Sequence, residues 1–301
     1  MNTKFTFSQF LIRFPNDDSC LEEIKQLRYP EGSLCSKCHK KTNFYKVKGR
    51  TAYACQFCGA HIYPLAKTIF DKTSTPLRLW FYAMYLMVQT RAGISAKQLQ
   101  RELGVTYKTA WRMFKQIRAL MADTSGTPLT GTVEVDETFI GGKGKNRAYE
   151  HRLNLENEDK EILMGMVERG GKVYLKHIPN TGKWTLLDQI KANVDPKAKI
   201  YTDQYGGYTH LSRLGYEHDY VLHRDMQFTK GIVHTQNIES FWSGLKRGIT
   251  GVYRVVSKKY LQAYADEYAW RYNNRKFEGK MFNRLLEQVP EVRVLPATKL
   301  A

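Results

Sequence analysis

With 301 residues, 42% hydrophobic and 13% aromatic, the chain has ample material for one catalytic domain and one or two small modules. Its 47 Lys and Arg outweigh 29 Asp and Glu, a formal charge of +18. That argues against a handler of small neutral substrates and for a nucleic-acid partner, a lysine-rich solvated surface being the bland alternative. The longest apolar run, Leu79–Val88, is far too short to cross a bilayer. The mixed polarity of MNTKFTFSQFLIRF, with no small-residue cleavage site, gives no expectation of a signal peptide.

Taken in order, the first element with chemistry is a pair of cysteine turns. Cys35-Ser-Lys-Cys38 and Cys55-Gln-Phe-Cys58 are separated by 16 positions, residues 39 to 54, inside the window of a four-cysteine zinc site. Each turn aims two thiolates at one tetrahedral ion, and the strand-like hairpin around Gly49 brings the turns together. The expectation is a zinc ribbon over residues 1–70, with Cys35, Cys38, Cys55 and Cys58 holding structural Zn2+ in a closed set that leaves no catalytic position. Redox or unpaired thiols are the competing reading, weakened by two matched pairs suited to a reducing cytosol. Cys20 is left over as a free thiol. His39 and His61 could substitute as ligands but are not needed.

Residues 71–125 read as a helix-turn-helix DNA-binding region. A helix entered through Pro76 carries Leu77, Leu79, Trp80, Phe81, Met84 and Leu86 on its apolar face. Ser95 then caps a short helix with Leu99 and Leu103 inward, Gly104 breaks it, and Thr106 caps a second with Ala110, Met113, Phe114 and Ile117 inward. Tyr107, Lys108, Arg112 and Lys115 point outward on that second helix and suit phosphates and groove edges. An ordinary helical hairpin is the alternative. The polar stretch DTSGTPLT, residues 123–130, is the best domain boundary.

From Thr132 the chain turns strand-rich. TVEVDETFIGG is a first strand; Ile162–Glu168 and Lys172–Ile178 form a hairpin about Arg169-Gly170-Gly171. An amphipathic helix follows at Lys183–Val194, with Trp184, Leu186, Leu187 and Ile190 as its apolar face. Lys199–Thr202 leads into Asp203, Asp219–His223 is a fifth strand, and helices begin near Thr235 and Lys258. This order predicts an α/β domain over residues 126–280, a mixed sheet covered by helices with the ribonuclease H-like layout, followed by a tail at residues 281–301. Glycine-rich, basic residues 141–147 lack the Gly-Lys-Ser/Thr ending of a P-loop, so Lys143, Lys145 and Arg147 read as DNA-backbone contacts.

The last motif is HTQNIESFWSGLK. Thr235 can cap it, and Ile238, Phe241, Trp242 and Leu245 recur as a buried stripe, more plausible as core than as base-stacking platforms. Three carboxylates, Asp136 and Asp203 at strands and Glu239 on this helix, can hold a divalent metal pair for phosphodiester chemistry. Alternation puts Glu137 on the opposite face from Asp136, exposed, and Glu134 on the same face, as an auxiliary acid or, more simply, a paired or edge-exposed glutamate. His223 and His234 would orient a phosphate or water, or be satisfied structural histidines. Arg271, Asn273, Asn274, Arg275 and Lys276 divide evenly between DNA contacts and a solvated helix end.

Asp203 and Glu239 enclose 35 positions, residues 204 to 238, and Lys246 follows seven residues after Glu239. With that spacing, the pieces DDSCLEEI, the C-x-x-C pairs, ISAKQLQRELGVTYKTAWRM, VEVDETFIGGKGK, YTDQYGGY, HTQNIESFWSGLKRG and ADEYAWRYNNR make nearly the whole chain resemble one family. It is that of the zinc-ribbon DDE transposases of prokaryotic insertion sequences, relatives of the Merlin elements. The resemblance implies Asp136, Asp203 and Glu239 as catalytic triad, with Mg2+ or Mn2+, and Lys246 as a DNA contact near them. Asn237 is the fallback third ligand, since some relatives carry asparagine there. It further implies a cytoplasmic, nucleoid-associated DNA transposase that binds element ends on double-stranded DNA. The enzyme would cleave to 3′-hydroxyls and join these to target DNA by two-metal transesterification, without ATP or membrane, as a homo-oligomer handling two ends. The alternatives are a non-catalytic DNA-binding regulator derived from a transposase, and a nuclease without strand transfer.

Overall fold

Reciprocal caps start the first two helices. Thr6 accepts the Gln9 N–H at 3.3 Å while the Gln9 side chain caps back, opening α1 (Phe7–Arg13); Asn16 accepts the Ser19 N–H at 3.0 Å at the head of α2 (Asp17–Arg28). The computed structural model describes residues 5–123, 125–141, 160–204, 206–222 and 229–292. It divides into two units, Met1–Met121 with Phe277–Ala301, and Ala122–Lys276.

In the first unit, short strands β1 (Ser33–Leu34) and β2 (Lys41–Thr42) pair antiparallel, and β3 (Phe44–Lys46), β4 (Tyr53–Cys55) and β5 (His61–Ile62) form a second small sheet. Helix α3 (Leu77–Gln89) is buried nearly all round, more widely than a single apolar face. Ser95 caps α4 (Ala96–Leu103), Gly104 takes a φ of 63° that only glycine adopts freely, and Thr106 caps α5 (Tyr107–Ala119). The six residues expected inward on this pair, Leu99, Leu103, Ala110, Met113, Phe114 and Ile117, are all buried. Residues 281–287, expected in a tail, instead form a helix. Its Phe282 is buried among Phe5, Phe10, Phe14, Phe81 and Tyr85 at ring separations of 5.1–6.3 Å. One short FNRLL pattern gave too little periodicity to reveal it.

The second unit is built on five strands, β6 (Thr132–Ile140), β7 (Glu161–Glu168), β8 (Val173–Ile178), β9 (Lys199–Asp203) and β10 (Glu217–Val221), in spatial order β10-β9-β6-β7-β8. β6, β7 and β8 run antiparallel, while β9 pairs parallel with β6 and with β10. This mixed sheet has the ribonuclease H-like order, with the first strand central. Alternation sorts the residues of β6: Val133 and Val135 face a core with Met164, Met166, Leu186 and Ile190, the last two from α6 (Lys183–Asn193). Glu134 and Asp136 face the other side, where α7 (Gln236–Gly248) and α8 (Leu261–Asn273) pack Ile238, Trp242, Leu245, Leu261 and Ala265 on Leu163 and Val167. Trp184 corrects the expected face of α6. It is 65% exposed, because burial there needs only Leu186, Leu187 and Ile190.

Candidate active site

The sheet register brings the two aspartates together. β6 and β9 pair from Thr132↔Lys199 to Glu134↔Tyr201, and alternation puts Asp136 and Asp203, each two residues beyond the last pair, on the same face as Glu134, the α7 face. Glu239 stands in the first turn of α7, which packs on that face. The electrostatics agree with the register. The Asp136 carboxyl is raised to about 6, first by burial and then by Asp203 and Glu239, against the lowering pull of the Trp242 N–H. The three acids, from two strands and a helix, therefore share one electrostatic neighbourhood.

Neutral donors set the orientation of these acids. Trp242 Nε1 donates to Asp136 Oδ2 at 3.0 Å, and Thr235 Oγ1 donates to Glu239 Oε1 at 2.6 Å. The indole reaches Asp136 because Gly165 lies directly across from it on β7. A Cβ at Gly165 would meet the Trp242 ring at 2.6 Å. Sequence reasoning placed Trp242 in the core, where it is, and missed its hydrogen bond. The lone glycine within ILMGMVE was the available signal of a close approach.

Glu134 fixes the helix that carries Glu239. Its side chain is fully buried, and its oxygens accept from Asn237 N at 2.8 Å, Ile238 N at 3.2 Å, Asn237 Nδ2 at 2.7 Å and Arg169 Nε at 2.8 Å, with His234 Nδ1 at 3.3 Å. A carboxylate from the central strand thus caps the N-terminus of α7, where unpaired N–H groups and the helix dipole favour negative charge. Thr235, expected to cap, makes no side-chain cap bond and serves Glu239 instead. The Asn237 amide donates to Glu134, and His234 lies against the same carboxylate. Glu137, expected exposed, is half-buried: it accepts from the Tyr208 hydroxyl, and burial followed by Asp136 and Asp203 raises it to about 7.

The four cysteines form a second centre. Cys35 and Cys58 sulfurs lie 3.7 Å apart, Cys38 and Cys55 sulfurs 3.8 Å. A tetrahedron with metal–sulfur bonds of about 2.3 Å has edges of roughly 3.8 Å, so the thiols fit zinc. The residues following the two turns, His39 and Gly59, both take left-handed φ values, 56° and 68°, and both N–H groups bond back to the first cysteine of their turn. His39 and His61 are exposed and outside the cluster, and Cys20 is buried, its thiol pushed up to about 12 by burial. The Thr42 hydroxyl draws Cys55 down to about 6. Despite the Ala60 N–H, burial and three neighbouring sulfurs push Cys58 up to about 11. Four thiolates this close repel one another unless a cation sits among them. Among the described residues this is the one group of three or more possible ligands whose atoms all lie within 4.8 Å of one another.

The residues expected on DNA divide. Tyr107, Lys108 and Arg112 are exposed on α5 and Lys115 is half-buried; Lys97 stacks on the Tyr107 ring, and Arg112 donates to Thr75 at 3.1 Å. Lys246 is exposed in the last turn of α7. Lys143, Lys145, Arg147 and His223 lie outside the described residues. Of Arg271, Asn273, Asn274, Arg275 and Lys276, the first four are held by the protein's own groups and Lys276 is exposed. Arg271 is buried on Glu267 at 2.7 Å, Asn273 bonds both backbone groups of Val173, Asn274 bonds Trp270, and Arg275 and Lys276 bond the carbonyls of Gly171 and Gly170. Asn273, Arg275 and Lys276 peg the end of α8 to the β7–β8 hairpin, while Arg271 and Asn274 bond within α8; polar residue type alone had suggested a surface.

Residues 128–273 match the ISXO2-like transposase domain, and residues 15–61 match the transposase zinc-ribbon domain. The chain is 28% identical, over 85% of its length and 91% of the relative's, to the uncharacterized protein in transposable element ISH50 of Halobacterium salinarum. Among solved structures, a pre-cleavage Mos1 transpososome is similar with a TM-score of 0.27 and 11% identity, over 71% of this chain and 79% of that one. That likeness is too slight to carry an argument.

Proposed function

Because the chain belongs to the ISXO2-like transposases with an N-terminal zinc ribbon, we propose that Asp136, Asp203 and Glu239 form the catalytic centre of a DNA strand-cleaving and strand-joining enzyme. The observation that carries this reading is the placement of Asp136 on the sheet face covered by the helix that bears Glu239, its carboxyl raised first by burial and then by Asp203 and Glu239. Acids far apart in sequence repel one another at one point of the sheet, an arrangement that destabilises the fold and persists where it has a use.

The donor set fits a hard divalent cation, since carboxylate oxygens suit Mg2+ or Mn2+ while the ribbon's thiolates suit zinc. Bound there, two such ions supply charge neutralisation at the phosphate and activation of a water or 3′-hydroxyl. The chain's own residues do the positioning. Trp242 and Thr235 orient the Asp136 and Glu239 carboxyls, Glu134 fixes the helix bearing Glu239, and Lys246, two turns along, meets the DNA backbone. The ribbon and the α4–α5 pair bind element ends, with Tyr107, Lys108, Arg112 and Lys115 on the duplex and Lys143, Lys145 and Arg147 on its backbone. Two ends handled together call for a homo-oligomer, acting in the cytoplasm on nucleoid DNA. Among the described residues no helix is long and apolar enough to cross a membrane.

A strand-transfer gel with Mg2+ or Mn2+ tests the reading, comparing wild type with Asp203→Asn. Nicked and joined products in wild type alone are expected. Cutting without joining would make the chain a nuclease, and no metal-dependent product in either protein would leave a DNA-binding regulator.

A further inference from the structure

The helix bearing Glu239 ends in unusual backbone. α7 runs directly into a π turn, Ile249–Tyr253, and the next residue, Arg254, has φ 66° and ψ −59°. With Val255 N bonded to Tyr253 O at 2.8 Å, residues 253–255 form the rare, strained γ-turn of positive φ, at a residue that is not glycine. Both flanks are anchored. The Tyr253 hydroxyl donates to both oxygens of the fully buried Glu267 at 3.1 Å, its ring meets Tyr264 edge-on at 4.7 Å, and Val256 packs against the core under α7 and α8. Between these anchors the turn leaves Arg254 exposed and Val255 82% exposed.

An outward valine is ordinary, and so is an outward arginine; a strained turn that holds both out, on a root tied to a buried carboxylate, is not. The charged residues flanking the turn in sequence, from Lys246 to Lys259, are all basic. Lys246, Arg247, Arg254 and Lys259 are exposed, and none is ion-paired among the described residues. Fifteen residues separate Glu239 from Arg254. At about 1.5 Å of rise per residue, an upper bound because residues 249–253 are π-helical, that is at most roughly 22 Å. It corresponds to about six base pairs at ~3.4 Å each of a duplex lying along the helix axis.

We propose that the Tyr253–Val255 turn is a DNA wedge, with Arg254 in the groove or on its phosphates and the Val255 side chain pressed into the base stack about six base pairs from the cleaved phosphate. The proposal rests on the transposase reading for the position of that phosphate. An apolar wedge flanked by cations unstacks a step and bends the duplex, and a rigid root lets the turn exert that force without yielding.

The test uses the full-length protein and synthetic duplexes of the element's end, with 2-aminopurine moved step by step from the nicked phosphate. Fluorescence, affinity and metal-dependent cleavage are read on the same duplexes for wild type, Val255→Ser and Arg254→Ala. Wild type should brighten one step roughly six base pairs from the nick. Val255→Ser should abolish that signal, and Arg254→Ala should lower the salt dependence of binding by about one counterion. Both positions are exposed, so unchanged melting temperatures are expected. Cleavage with no brightened step in wild type, or a signal that survives Val255→Ser, would overturn the wedge and leave the transposase reading intact. A Val255-dependent signal without cleavage would support the wedge as a DNA contact while sinking that reading. An oligomeric shift in Val255→Ser with unchanged DNA affinity would also overturn the wedge, reassigning the turn to contacts between copies.

Discussion

The zinc ribbon and the carboxylate site hold their ligands by opposite means. In the ribbon, two short turns supply four sulfurs all within 4.8 Å of one another, and the strands around them are two or three residues long. The carboxylates instead come from a nine-residue strand, a five-residue strand and a thirteen-residue helix, each anchored in an extensive apolar core. Packing thus sustains the acids against their own repulsion, whereas the ribbon has little but its metal to sustain it. The difference should show when each metal is withdrawn. A structural zinc site of this kind contributes on the order of 10 kcal/mol, so chelation at neutral pH should strip amide-exchange protection from residues 33–62 while β6, β7 and β9 keep theirs. Equal loss in both units would break the contrast.

The next largest effect concerns Glu134, the charge on which the carboxylate scaffold does depend. Glu134→Ala would leave Arg169 and the first N–H groups of α7 without their buried acceptor. Removing one partner of such a buried pair costs about 3–5 kcal/mol. Glu134→Gln, which keeps one acceptor oxygen and the volume, should lose less. Urea denaturation of both variants checks this, and equal losses would mean that volume rather than charge anchors the helix.

The acids themselves should destabilise the fold, and pH can show it. Asp136, ordinarily 3.8, stands at about 6, and Glu137, ordinarily 4.5, at about 7, burial being the first cause in each. Folded-state values above the unfolded ones mean the folded chain holds more protons from about pH 4 to pH 7. Stability is therefore lost as pH rises through that window. The Asp136 shift alone corresponds to about 3 kcal/mol. In magnesium-free buffer, wild type should melt lower at pH 7.5 than at pH 5, with Asp136→Asn flattening the slope and melting higher at pH 7.5. A variant no more stable than wild type at pH 7.5 would mean that the carboxylates do not strain the fold.

The same contrast explains what could be read beforehand. The ribbon's ligands lie within one short stretch, so spacing alone named them. Strand alternation, the Asp203–Glu239 interval and the family resemblance pointed to the acids: Asp203 ends β9 and Glu239 lies in the first turn of α7, while Asp136 stands in the middle of β6. Their supports were less visible. Glu134 was left between an auxiliary acid and a paired one, Glu137 was assigned to solvent, and Arg271 to Lys276 were given to DNA or water. Most of these are polar residues whose partners lie elsewhere in the chain, such as Tyr208 for Glu137 and Val173 for Asn273. Periodicity reports which face a side chain takes, not which neighbour satisfies it. Trp184 is the mirror case, an apolar residue in helical register with nothing to bury it.

Gly165 offers the finest discrimination between packing and chemistry. A methyl there would meet the Trp242 ring at 2.6 Å and Ile238 at 2.7 Å, so the indole must move or the strand must bow. Overpacking of this kind costs about 1–3 kcal/mol, the smallest of these effects on stability. Its effect on cleavage should be larger than its effect on folding, because the displaced indole is the donor that orients Asp136. Trp242→Phe separates the two contributions: it keeps an aromatic ring over Gly165 and deletes the N–H. If orientation of Asp136 matters, Trp242→Phe should lose cleavage activity while remaining close to wild type in stability, and Gly165→Ala should lose both. Should Trp242→Phe cleave like wild type, the hydrogen bond is incidental, and the glycine is there only because the core needs the space.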